Sequence, residues 1–166
     1  MTNYICINGK KAELTNEQLK ALGIELPKTN PFERTRKNSI YYTIDTAGVT
    51  RRCNERNDGV DDIFYQVGNY CTDKEIMEQR ALYEILNRLL WRYSMEHDGD
   101  KVEWRKGGGK RNWKIFYGHS SSLLEVDHND DFEAIGTVYF HTKEIAEKAI
   151  DEIIKPFMEA HPDFKF

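Results

Sequence analysis

Long hydrophobic runs are missing from these 166 residues. No stretch approaches the roughly 20 apolar residues of a membrane span, and the opening MTNYICINGKK lacks the apolar core of a secretory signal. The expectation is a soluble, cytoplasmic protein that makes no use of a membrane. Cysteine is scarce: Cys6, Cys53 and Cys71 are odd in number and share no metal-ligand or redox spacing, so they read as reduced thiols. The chain is long enough to bury an interior without disulfides.

The signatures of catalysis are missing as well. Gly107, Gly108 and Gly109 stand in a basic turn without the lysine-serine ending of a phosphate loop. There is no nucleophile elbow and no helical His-x-x-x-His pair. The histidines, His97, His119, His128, His141 and His161, are scattered over a helix end, a turn, a loop, a cap and the tail. His119 with the serines at 120–122 reads as a polar turn rather than a nucleophile and base. Residues 127–131 and 58–62 are acidic loops, but they lack the alternating ligands and closing glutamate of a calcium loop. The expectation is therefore no enzyme, no metal and no cofactor.

Net charge is −4 and the pI is near 5.8, values that restrict partners little. The distribution restricts them more. Residues 101–114 hold six basic side chains against one acidic, whereas Glu125, Asp127, Asp130, Asp131 and Glu133 have no basic residue among them.

What is present is architecture, centred on residues 72–97. Thr72 and Glu75 have capping-box spacing, Cys71 and Ile76 that of a hydrophobic staple, and a helix starts at Asp73. Ile76, Leu82, Tyr83, Leu86, Leu89, Leu90 and Tyr93 give it a wide apolar face. Upstream, residues 4–7 and 10–14 flank Asn8-Gly9, a two-residue hairpin turn. Thr15 and Gln18 cap a short helix over 16–22, and Pro27 and Pro31 mark a linker over 25–37. Residues 40–44 and 49–53 form a second hairpin, 54–62 a loop, and 63–67 a third strand leading into the long helix.

After Asp98-Gly99-Asp100 the pattern restarts. Strands are expected over 101–105, 113–117, 123–126 and 135–140, and Thr142 caps a last helix whose stripe is Ile145, Ala146, Ala149, Ile150, Ile153 and Ile154. Pro156 ends or kinks that helix. The tail, with Phe157, Phe164 and Phe166, is too apolar to be left unstructured. Tyr70-Cys71-Thr72-Asp73-Lys74-Glu75-Ile76 parallels Phe140-His141-Thr142-Lys143-Glu144-Ile145, which points to an internal duplication or to the same helix-start chemistry arriving twice.

The fold expected is α+β: an N-terminal hairpin, helix and linker over 1–37, then two repeated β-β-β-α modules over 38–100 and 101–166. Each module has an antiparallel three-stranded sheet, and the helices 73–96 and 143–157 pack as a shared core. The partner surface is sought in the turn carrying Trp104, Arg105, Lys106, Lys110, Arg111, Trp113 and Lys114, where bases could stack while cations meet phosphates. Arg51, Arg52 and Arg56 form a second patch on the equivalent hairpin. A solvated turn whose tryptophans face the core is the alternative.

Two resemblances bear on function. Trp113-Lys114-Ile115-Phe116-Tyr117, followed by Gly136-Thr137-Val138-Tyr139-Phe140-His141-Thr142-Lys143-Glu144-Ile145-Ala146, resembles the arm-type DNA-binding module of phage tyrosine recombinases, though the basic strands after Tyr117 are replaced by an acidic segment. The whole chain resembles small accessory proteins of Firmicutes phages and mobile elements, on Leu14-Thr15-Asn16-Glu17-Gln18-Leu19, on Tyr65-Gln66-Val67-Gly68-Asn69-Tyr70 and on the Thr-Lys-Glu helix starts. That likeness implies a non-enzymatic protein that binds a host protein or ribonucleoprotein effector, as anti-CRISPR inhibitors of bacterial defence do. The first likeness implies the alternative, direct DNA or RNA binding.

Overall fold

The computed structural model describes residues 4–7, 10–15, 18, 21–22, 30–104 and 110–166. The chain separates into two compact units, Met1–Glu33 and Arg34–Phe166. In the first, β1 (Tyr4–Ile7) pairs antiparallel with β2 (Lys10–Glu13). Ile7 opposite Lys10 leaves room for a two-residue turn, although Asn8 and Gly9 themselves lie outside the described residues. The capping box at Thr15 forms: its amide donates to Gln18 Oε1 at 2.9 Å and the Gln18 amide donates to Thr15 Oγ1 at 3.2 Å. Gln18 and Ala21 are helical. The other residues of that helix up to Lys20, and 25–29 of the linker, fall outside the described set.

The second unit opens with β3 (Ile40–Ile44) antiparallel to β4 (Thr50–Asn54). Asp45 Oδ1 shapes the turn by accepting the amides of Ala47 and Val49, each at 2.9 Å. Gly48, with φ +82°, closes it where a Cβ would stand 2.9 Å from Ile85 and Arg88, so the turn rides directly on the long helix. The expected third strand at 63–67 is instead part of a helix, α1 (Gly59–Gln66). Asp58 caps it through a box with Asp61, and that start signal overrides the β-branched, aromatic composition downstream. The first module thus has a two-stranded hairpin plus a single bridge, Tyr42 to Cys71.

The long helix α2 (Lys74–Glu96) takes Asp73 as its cap, whose side chain accepts the Ile76 amide, one residue beyond the expected Thr72. Its buried side is Met77, Ala81, Leu86, Tyr93 and Ser94, whereas Ile76 and Tyr83, both assigned to the apolar face, are exposed. Residues 101–104 form no strand. Gly99–Lys101 is a 3-10 turn, residues 102–104 have no regular structure, and the next strand is β5 (Asn112–Gly118). β6 (Leu123–Asn129) extends further than expected, into the acidic segment. β7 is only Tyr139–Phe140, and Ile135 is fully solvent-exposed. The sheet order is β6-β5-β7, all antiparallel.

Thr142 caps α3 (Lys143–Ala149) by accepting the Ile145 amide. A π turn, Ile150–Ile154, then carries the chain into α4 (Lys155–Ala160), with Pro156 in its first turn. Proline has no N–H to donate, and the wider turn just before it absorbs the mismatch, so the helix shifts register without ending. Leu86, Ile154, Phe157 and Phe164 form one apolar cluster, with Tyr93, Phe140, Ala146 and Ala149 in a neighbouring one. The tail therefore belongs to the core, and Gln79 fixes it by bonding the Asp163 carbonyl and the Lys165 amide. No helix among the described residues is long and apolar enough to cross a membrane.

Candidate functional site

The β3–β4 end of the second unit is built on buried charge. Glu55 is 0% exposed and Asp61 3%, burial that a carboxylate tolerates only when its oxygens are bonded. Glu55 accepts from Arg34 Nη2 at 3.0 Å, the Asn57 amide at 2.9 Å and the Tyr70 hydroxyl at 2.9 Å. Asp61 accepts from the Tyr41 hydroxyl at 2.6 Å and from the amides of Arg56 and Asp58 at 2.7 and 3.2 Å. Arg34 also bonds Asp62. The rings of Tyr41 and Tyr70 stack at 4.1 Å, and Tyr65 meets Tyr70 edge-on. Loop 54–58 is thus wrapped around two carboxylates that hold its backbone amides.

The protonation states follow from these contacts. Burial alone would raise the Asp61 carboxyl, but the bonds from Tyr41, Arg56 and Asp58 and the neighbouring Glu55 hold it at about 2. Burial, and then the bond to Asp61, push the Tyr41 hydroxyl far above its ordinary value. Tyr70, raised first by burial and also by Glu55 although the Thr35 amide opposes it, is pushed up to about 12. Its bonds to Glu55 and then Asp62 raise the Arg34 guanidinium. Asp61 is ionised, and both phenols are fixed as donors.

Above this base stands a group of unengaged cations. Arg36, Lys37, Arg52 and Arg56 are exposed, and their side chains form no ion pair with any described residue. Several cations elsewhere in the unit are paired, Lys74 with Glu78, Arg80 with Glu84, Lys101 with Asp98, Lys143 with Glu147 and Lys155 with Asp151, whereas Arg88, Arg111 and Lys148 are exposed and form no ion pair with a described residue. Arg52 and Arg56 line one 350 Å³ cleft together with Val60, Asp61 and Phe64. Arg51, the remaining member of the expected patch, is tied to Asp45 at 2.7 Å.

The other expected surface is differently disposed. Trp104 is half-buried and meets Tyr139 edge-on at 4.9 Å, and Trp113 packs into the cluster around Tyr93 and Phe140. Both tryptophans keep part of their surface exposed. Lys110 pairs with Glu103 at 3.6 Å and Lys114 donates to Asn129 at 3.4 Å, leaving Arg111 exposed. Arg105 and Lys106 lie outside the described residues. No group of three metal-ligating side chains occurs among the described residues. Of the thiols, Cys53 is half-buried, Cys71 is buried with its pKa raised by that burial, and both are free.

No family model matches the chain, and no curated protein and no solved structure matches it.

Sequence reasoning missed Arg34, Arg36, Lys37, Glu55 and the paired tyrosines. The one signal on offer was the Asp58-x-x-Asp61 spacing, a capping pattern lying inside what reads as an acidic loop.

Proposed function

We propose that this chain is a non-enzymatic protein of a phage or other mobile element that binds a host macromolecule in the bacterial cytoplasm, in the manner of inhibitors of host defence such as anti-CRISPR proteins. The observation that carries the reading is the pair Arg52 and Arg56, unengaged at one cleft, with Arg52 held by its strand and the Arg56 amide held by Asp61. A braced loop with free charge is preorganised for recognition, because little order has to be created on binding. Asp61 is consistent with the non-catalytic side of the reading. A general base works best with a pKa near the working pH, and Asp61 at about 2 is far from it.

The same reading treats the two halves of the second unit as copies of one β-β-β-α plan. Cys71 bridges to the first strand of its hairpin just before α2, as Tyr139–Phe140 pairs with the first strand of its own just before α3. The helix α1 is then an insertion in the first copy.

Pull-down of a defence nuclease or its guide-RNA complex, together with plaque rescue in a defended host, tests the proposal. Failure of both across several defence types removes it. Direct nucleic-acid binding is the second reading, favoured by the unengaged cations and by exposed Arg111. It requires affinity that falls steeply with salt and is lost in the Arg52→Ala, Arg56→Ala, Arg111→Ala triple variant.

A further inference from the structure

The helix α1 is turned inside out. The residue it buries is Asp61, bonded to Tyr41, and the half-exposed Asp62 beside it is bonded to Arg34. Its apolar residues Val60, Ile63 and Val67 recur at the spacing of one helical face, yet they are 58%, 60% and 65% exposed. Phe64 completes this stripe at its edge on the Arg52–Arg56 cleft. A soluble helix normally buries such a stripe; here Asp61 has claimed the interior side.

We propose that this face of α1 is the docking site for an acidic, amphipathic segment of a protein partner. The proposal rests on the binding function above and narrows the partner class. Apolar anchors of the partner cover Val60, Ile63 and Val67, and its carboxylates meet Arg52 and Arg56, whose charges are unmatched by any described residue. Charge complementarity of this kind fixes orientation and speeds encounter. A nucleic acid fits the surface less well. At Val60, Ile63 and Val67 the exposed stripe is aliphatic and offers bases no stacking plane.

The test selects a random peptide library on the full chain, with Ile63→Asp and the double variant Arg52→Glu, Arg56→Glu selected in parallel. All three sites are exposed, so the variants should fold, and an unchanged melting temperature confirms it for each. The expected result is enrichment of peptides carrying acidic residues beside apolar ones spaced three and four apart, with affinity falling about tenfold or more in either variant. No enrichment, enrichment of basic peptides, or binding that Ile63→Asp leaves intact overturns the proposal. So does oligothymidylate binding by the wild type in the absence of any enriched peptide. Plaque rescue that Ile63→Asp leaves untouched removes the docking face and keeps the binding function. Wild-type protein that gives no rescue and captures no effector, yet still selects acidic peptides, removes the anti-defence function and keeps the face.

Discussion

The two hairpins of the second unit stand on opposite kinds of interior. Under β5 and β6 the support is apolar, with Phe140, Ile154, Phe157 and Phe164 packed against α2. Under β3 and β4 one side rests on the small cluster of Ile44, Cys71, Met77 and Ala81, while the strand ends, loop 54–58 and α1 rest on Glu55, Asp61 and Arg34. An apolar interior is tolerant, since it is non-directional and rewards area. A polar one fixes direction, since each oxygen must find its donor. The difference teaches why Arg52 and Arg56 are the arginines held at a defined cleft: the polar half has the bonding needed to hold loop 54–58 in one conformation.

The comparison can be broken by substitution. Phe157→Ala should have the largest effect, about 3–5 kcal/mol of stability by denaturant melt, because a buried ring leaves a cavity behind it. Glu55→Ala should cost about 2–3 kcal/mol, since the Tyr70 hydroxyl and the Asn57 amide lose their acceptor in a buried setting. If Glu55→Ala melts like wild type, the polar half is not held as described.

Acid should separate the halves next. Asp61 titrates at about 2 in the folded chain and near ~3.9 unfolded. Its folded value is depressed, so its contribution is fully present above about pH 4 and is lost as the pH falls from there toward 2. Asp61→Asn should flatten that limb of melting temperature against pH, and a variant that keeps the wild-type slope contradicts the assignment. Smallest of all, Arg52→Ala and Arg56→Ala should each change stability by no more than about 0.5 kcal/mol while weakening partner capture.

The apolar half was the legible one. Thr142 as cap, the antiparallel strands around Trp113 and Leu124, and an ordered apolar tail could all be read from periodicity, capping and composition, because most of the apolar residues that define them face inward. Periodicity fails where that premise fails. Ile63, Tyr65 and Val67 alternate like a strand with an inner face, but their helix buries aspartate instead. Ile135 belongs to an apolar-looking run and is fully exposed. The tryptophans at 104 and 113 were legible both as aromatic company for basic residues and as core-facing rings, and they sit half-buried, Trp104 against Tyr139 and Trp113 in the cluster of Phe140. The partners of Glu55 come from Arg34 and Tyr70, too far apart in sequence for any local pattern to join them.

Amide hydrogen exchange at Arg56, Asn57 and Asp58 tests the central claim most directly, because these three N–H groups bond to the two buried carboxylates. Arg56 and Asp58 should be protected in the native chain and lose that protection in Asp61→Asn, with the amides of α3 unchanged. Exchange at the unprotected rate in the wild type would show that loop 54–58 is not braced by its acids, and the surface built upon it would lose its foundation.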